Sequence, residues 1–227
     1  MEDVRARAMD RANLPATMSA SEREWLGVDI ACRALDLVVT AVALCLLAPV
    51  LLLIALIVKL DSSGPVLFRQ QRLGRDRRPF LVTKFRTMHH GADHDVHRDY
   101  ILGLIESGTA APKLESDSRV TRFGNFLRRA SLDELPQLWN VLRGDMSLVG
   151  PRPPIPYEVE HYPPHWFARF AVKPGVTGLW QVSGRSEVSL EEMIVLDTDY
   201  VRRRSVTLNL WILLRTVPAV VSMRGAG

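Results

Sequence analysis

Cysteine is almost missing from this chain: Cys32 and Cys45 are its only two. They lie 13 residues apart with no CxxC spacing, which excludes a disulfide scaffold and a cysteine-rich metal site. On one helix they cannot bridge, and both are expected to act as buried small apolar fillers. Charge of either sign is missing from Leu37 to Val58, a run of 22 residues in which only Thr40 is polar. A secretory leader is excluded as well. The run is too long and begins too late, and Lys59-Leu60-Asp61 follows it in place of a small-residue cleavage site. Helix-turn-helix, zinc-finger and aromatic-interleaved basic patterns are all lacking, so the basic balance of 29 Lys+Arg over 25 Asp+Glu is not assigned to nucleic acid. Internal repeats and low-complexity tracts are lacking too.

The uncharged run is instead a membrane segment, since about 20 apolar residues cross a hydrocarbon core of ~30 Å. The basic excess is local to its end. Lys59, Arg69, Arg72, Arg75, Arg77, Arg78, Lys84 and Arg86 face only Asp61 and Asp76 in the same stretch. Such a cluster favours the cytoplasmic side and anionic headgroups. Residues 1–26 read as a polar tail and 27–60 as one membrane-embedded helix broken at Pro49, because proline removes a backbone donor. That helix either spans the membrane or dips in and returns to the same face. Residues 61–221 form a cytosolic domain with interfacial helices, and 222–227 a C-terminal tail.

Within that domain, "PVLFRQQRLG" and "RPFLVTKFRTM" read as two strands joined by a basic turn from Gly74 to Arg78. "HHGADHDVHRDYILGLIE" reads as a helix carrying His90, His94 and His97 on a solvated polar face. "RFGNFLRR" and "SLDELPQLWNVLR" read as helices, "MSLVG" as a short strand, and "GVTGLWQVSG" as strand-like between glycines. Helices follow from Leu190 to about Arg203 and from Val206 to about Val221. The last one, interrupted by Arg215 and Pro218, suits either the interface plane with Trp211 at headgroup depth or a buried core position. The fold class is therefore α+β, mostly helical with a small sheet and membrane-associated.

Chemistry concentrates in "RRASLDELPQLWNVLRGDMSLVGPRPP", residues 128–154. Ser131-Leu-Asp-Glu134 matches a capping box. Whether the helix starts before or after Pro136, Asp133 and Glu134 fall at its first turn, where the dipole favours an ionised carboxylate. A carboxylate nucleophile needs that state. The same end attracts phosphate, and Arg128 stands one turn before the acids. Arg143 suits a C-terminal cap. Arg152, fixed between prolines in "GPRPP", presents its side chain at low entropy cost. The acidic pair also suits Mg²⁺, which takes one or two carboxylates together with substrate phosphates. In that reading Glu134 holds the ion and Asp133 attacks phosphorus.

"KFRTM", "RASLDELPQLWNVLRGDMSLVGPRP", "KPGVTGLWQVSGR" and "LDTDYV" occur in the order and spacing of the bacterial sugar transferase family, the monotopic phosphoglycosyl transferases, and from about Asp29 to Arg215 the chain resembles their short form. The resemblance implies transfer of a phosphosugar from a UDP-sugar to polyprenyl phosphate at the cytoplasmic face of the inner membrane, initiating exopolysaccharide, O-antigen or glycoconjugate assembly. Asp133 then corresponds to the nucleophile that forms an aspartyl-phosphosugar, and UMP is released. Glu134, with Asp133, corresponds to the Mg²⁺ site. Arg128, Arg152 and Pro153 correspond to phosphate-binding positions, and Lys84, Arg86 and Arg185 to further substrate-binding positions. The implied partners are the UDP-sugar, the polyprenyl phosphate and membrane lipids; oligomeric state is left open, with a homodimer as one alternative. The family's membrane helix is re-entrant, broken at Ser-Pro. Here the pair is Ala48-Pro49, so the break rests on proline alone. Pro154 and Asn209 also depart from the pattern, at positions where an apolar residue and an aspartate are usual. A membrane-bound hydrolase using water as acceptor and a non-catalytic scaffold are the competing readings.

Overall fold

The computed structural model describes residues 20–89, 91, 119–184 and 188–221. Its first element, α1 (Ala20–Asp61), is a single helix of 42 residues, about 63 Å long at ~1.5 Å per residue. The expected break at Pro49 is not present, and helical backbone runs on through the proline. Cys32, Asp36, Thr40, Ile54 and Val58 are buried on α1. With the partly buried Val39, Ala43, Leu44, Leu51 and Ala55 they form one stripe at helical spacing. Leu46, Leu52, Leu53, Leu56 and Leu60 face outward. A helix that is apolar all round, with one face on protein, needs an apolar medium for the other. It is long and apolar enough to cross a membrane.

Both ends of α1 are tied to the same folded body. Near its start Asp29 accepts from Arg75 at 2.9 Å and from Arg204. Arg33 donates to the Val141 and Leu142 carbonyls at 2.6 and 2.9 Å, and Asp36 accepts from the Leu148 amide at 2.9 Å. At its far end Arg86 donates to the carbonyls of Val58 (3.0 Å), Ser62 (2.7 Å) and Pro65.

The expected hairpin is present. β1 (Leu67–Leu73) pairs antiparallel with β2 (Pro79–Phe85), Leu67 opposite Phe85 and Leu73 opposite Pro79. A 3₁₀ turn, Arg75–Arg77, joins them with Asp76 and Arg77 at φ 57° and 59°. Helix α2 (Arg122–Arg129) starts at a Thr121 cap that accepts from the Gly124 amide. A 3₁₀ turn (Leu132–Glu134) and α3 (Gln137–Arg143) follow. Gly144, at φ 88°, ends α3 by donating to the carbonyls of Asn140 and Val141, the left-handed stop that glycine adopts without strain.

Strand β3 (Ser147–Val149) pairs in parallel with β4 (Gly175–Thr177). A Cβ on Gly175 would collide with the backbone of Gly150, so this crossing admits only glycine. The segment after Thr177 differs from its strand-like reading: Leu179–Ser183 is helix α5. The proline-rich stretch holds α4 (Pro156–Val159) and a 3₁₀ segment (Pro164–Ala171). Then come α6 (Leu190–Arg203), with a complete Ser189/Glu192 capping box, and α7 (Val206–Val221).

The main core gathers Val82, Leu138, Val141, Met146, Val149, Tyr200 and Ile212. Asn209 is fully buried there, 2.9 Å from the Tyr200 hydroxyl, so its departure from the family pattern falls on packing. Helix α7 is half core and half exposed, with Ile212 buried and Trp211, Leu214 and Val217 outward. The core reading of that helix holds for the Ile212 face. Cys32 and Cys45 are both free; Cys32 is the expected buried filler, whereas Cys45 differs from that expectation and is exposed on the outer face of α1. The histidine helix and the 108–116 loop lie outside the described residues.

Candidate active site

The acidic pair sits where α2 turns into α3. Ser131 takes the left-handed conformation at φ 56° and makes no side-chain cap, so the expected capping box does not form. Glu134 is drawn away by Lys84 of β2, whose ammonium lies 2.5 Å from its carboxylate. The turn directs Asp133 inward, to 9% exposure, and leaves the Glu134 side chain at 30%. The flanking Leu132 and Leu135 pack on the cluster of Ile54, Val58, Phe85 and Leu127. The acids therefore stand directly beside the second half of the apolar helix.

Asn140 sets the register between Lys84 and Glu134. It is buried on α3, accepts from the Thr83 amide at 3.1 Å and donates to the Leu81 carbonyl at 2.7 Å. That clamp holds β2 to α3. Arg128, at the end of α2, donates to the Thr87 hydroxyl at 2.9 Å, which places a second cation on the same side of the turn.

The two carboxyls titrate apart. Burial pushes Asp133 up to about 6. The charges of Lys84 and Arg128 pull against that, and the neighbouring Glu134 adds to it. Burial also pushes Glu134 upward, but Lys84, by charge and hydrogen bond, and then Arg152 and Arg72 outweigh it, so Glu134 lies below the usual range. This differs from the sequence reading, in which a helix terminus lowers both. Helix α3 begins only at Gln137, beyond the acids, and desolvation decides the acidity of Asp133.

Arg152 is exposed on the Pro151–Pro154 loop, and its charge is felt at Glu134 and at Arg72. The structure thus gathers Asp133, Glu134, Lys84, Arg128 and Arg152. Pro153 is buried, and its carbonyl accepts from Arg72 at 3.0 Å. Arg86 is placed differently from its substrate-binding expectation: its guanidinium closes the end of α1. Arg185 lies outside the described residues. Sequence reasoning missed Arg72, Asn140 and Arg169. Arg72 gave a faint signal, since it stands at an alternate position of "FRQQRLG" with Gln70 and Phe68.

Chemically, a secluded carboxyl raised to about 6, with the charges of Lys84 and Arg128 acting on it, has the features that a carboxylate nucleophile facing an anionic phosphate requires. Among the described residues no group of three or more His, Cys, Asp or Glu forms a metal cage. The two adjacent carboxyls fit an ion that draws its other ligands from substrate oxygens.

A family model described as bacterial sugar transferase matches residues 28–223. The exopolysaccharide production protein ExoY of Rhizobium meliloti is 41% identical over 196 residues, which cover 86% of this chain and 87% of that protein. A UDP-glucose:undecaprenyl-phosphate glucose-1-phosphate transferase of Caulobacter vibrioides is 43% identical over 209 residues, 88% of this chain and 73% of that protein. A UDP-galactose-lipid carrier transferase of Erwinia amylovora is 41% identical over 201 residues, 86% and 41% of the two chains.

Proposed function

Because this chain belongs to the bacterial sugar transferase family, we propose that it moves a phosphosugar from a UDP-sugar to polyprenyl phosphate through a covalent intermediate on Asp133. The observation that carries this reading is the secluded Asp133 carboxyl, raised to about 6 and within the field of Arg128, beside the Lys84–Glu134 pair, at whose carboxylate the charge of Arg152 is felt.

An ionised Asp133 oxygen attacks the phosphorus that bears the sugar. The P–O bond to the uridine monophosphate half breaks, and UMP leaves with the electron pair. A phosphate oxygen of the polyprenyl carrier then attacks the same phosphorus and displaces Asp133. Polyprenyl-diphosphate-sugar results, and the carboxylate is restored. Lys84, Arg128 and Arg152 offset the charge of two anionic substrates that must meet the same acid in turn. Glu134 and Asp133 are the residues that would hold Mg²⁺. When bound, that ion would neutralise the diphosphate and polarise its P–O bonds.

The ties at both ends of α1 support a location on one face of the membrane. Asp29, Arg33 and Asp36 bond to the same folded body as the Val58–Ser62 end. A perpendicular crossing of about 30 Å would part them. Both ends of the helix then lie on the cytoplasmic side of the inner membrane, where UDP-sugars and the basic segment after α1 meet. This same-face placement serves the chemistry, since the acceptor phosphate cannot leave the interface.

Incubating the protein in nanodiscs with Mg²⁺ and a panel of UDP-sugars, without carrier lipid, tests the reading by intact mass and peptide mapping. A phosphosugar adduct on the Asp133 peptide, absent from Asp133→Asn, is expected with the cognate sugar. UMP release under multiple turnover without carrier lipid would instead identify water as the acceptor. UMP release that survives in Asp133→Asn would remove Asp133 as nucleophile.

A further inference from the structure

Three successive carbonyls of the Arg152 loop are each held by a donor from elsewhere in the chain. Arg169 donates to the Arg152 carbonyl at 2.9 Å, Arg72 to that of Pro153 at 3.0 Å, and the Leu73 amide to that of Pro154 at 3.0 Å. The first of these donors is itself fixed. Arg169, on the 3₁₀ segment Pro164–Ala171, lies 2.5 Å from the Asp197 carboxylate of α6, with both side chains 1% exposed. Its other terminal nitrogen donates to the Tyr162 hydroxyl at 3.2 Å.

Stability alone is a poor reason for this arrangement, because apolar residues often replace a buried ion pair at no loss. What the pair does hold is the backbone of one residue, Arg152, whose own side chain is exposed and whose charge is felt at Glu134. A guanidinium serves three acceptors at once from a rigid fork, which an ammonium on a flexible stem does not.

We propose that Arg169, locked by Asp197 and Tyr162, is the positioning residue for Arg152, fixing the direction from which that guanidinium meets the diphosphate of the donor. The proposal rests on Arg152 contacting donor phosphate, as the proposed function has it. Arg169 touches no substrate in this arrangement and acts only through the loop.

The test is a double-mutant cycle on the full chain in nanodiscs with Mg²⁺, using UDP as the probe and calorimetric titration for Kd and binding stoichiometry. Arg152→Ala is expected to weaken UDP about tenfold or more, the loss of a charge-assisted contact. Arg169→Lys is expected to weaken it about tenfold in the wild-type background and to add nothing to Arg152→Ala, since coupled residues are non-additive. Lost packing alone would lower the fraction of protein that binds and leave Kd in place. Equal effects of Arg169→Lys in both backgrounds, or an unchanged Kd, would overturn the proposal while leaving the phosphate role of Arg152 intact. An Arg152→Ala protein that binds UDP normally would remove that role and the proposal together. Should Arg169→Lys not fold, Tyr162→Phe takes out one hydrogen bond to Arg169. A two- to fivefold weakening that vanishes in the Arg152→Ala background is then expected, and additivity overturns the proposal in the same way.

Discussion

Replacing Asp133 with asparagine should make this protein more stable, by an amount that depends on pH. The carboxyl lies at about 6 in the fold against an ordinary value of 3.8, chiefly because it is buried. A raised folded-state value means that the folded chain holds this proton more tightly than the unfolded chain does. Stability from this group is therefore full below about pH 4 and is lost as pH rises through 6. Two units at ~1.36 kcal/mol each put the whole loss near 3 kcal/mol. About half of it is complete by pH 5, so the gap between Asp133→Asn and wild type should widen by roughly 1.4 kcal/mol between pH 5 and pH 8. For a chain of this length that is about 3–6 °C in Tm. Scanning fluorimetry in nanodiscs with EDTA present, at both pH values, reads it directly. Asparagine keeps the shape and the polarity of the protonated acid, so the pH 5 gap controls for packing. A gap that stays constant, or a wild type that gains on the mutant at pH 8, would show that burial does not set the acidity of Asp133. The argument for a nucleophile that ionises near neutrality would then fail.

Lys84→Met removes the strongest influence that lowers the Asp133 value, so adduct formation followed by mass across pH 5.5–8.5 should shift to higher pH. A midpoint unmoved, or moved toward acid, would show that Lys84 does not act on Asp133. Asn140→Ala deletes the clamp to Leu81 and Thr83 and strands two part-buried backbone groups, so unfolding should show a loss of about 1–3 kcal/mol. Arg86→Met frees the end of α1 and should cost about 2–3 kcal/mol. Because its guanidinium is occupied by carbonyls, UDP affinity should stay within about twofold of wild type. A large loss of UDP affinity at unchanged Tm would return Arg86 to the substrate site.

What was legible in the sequence was what is local. The uncharged run marks α1, the strand pattern marks the hairpin, and the helix read from Leu190 is α6, which the structure starts with a Ser189/Glu192 capping box. The same Ser-x-x-Glu pattern at Ser131 fails, because Lys84, 50 residues away in sequence, competes for Glu134 and a left-handed Ser131 turns the chain. Proline at 49 removes only the bond to the carbonyl four residues earlier, that of Cys45, and the rest of the helix ladder carries α1 past it. The motif residues were found without their partners. "LDTDYV" was read as a signature, but the task of Asp197 depends on an arginine 28 residues earlier that no local rule connects to it. Arg86 shows the same limit: a cation near Lys84 reads as a phosphate contact, and only the fold shows its guanidinium donating to carbonyls at the end of α1.

The position of the acids relative to α1 ties the membrane segment to the chemistry. Leu132 and Leu135 bracket Asp133 and rest on Ile54 and Val58 of the helix, while Arg86, two residues after Lys84 and just past the end of β2, caps the same helix end. The lysine that pairs with Glu134 and the leucines that seat Asp133 are thus referenced to one stretch of α1, about two turns long. The outer face of that stretch carries Leu53, Leu56 and Leu60, all exposed. In the proposed membrane placement, the depth at which those leucines settle in lipid would set the height of the acidic turn above the hydrocarbon. Changing Leu53 and Leu56 together to serine would alter that depth without touching a site residue. Adduct formation from the soluble UDP-sugar should then persist within about threefold, while transfer to carrier lipid falls by about tenfold or more, because the lipid phosphate no longer meets the turn in the right geometry. Equal loss of both half-reactions would show that the outer face of α1 supports the fold of the site and does not set its height.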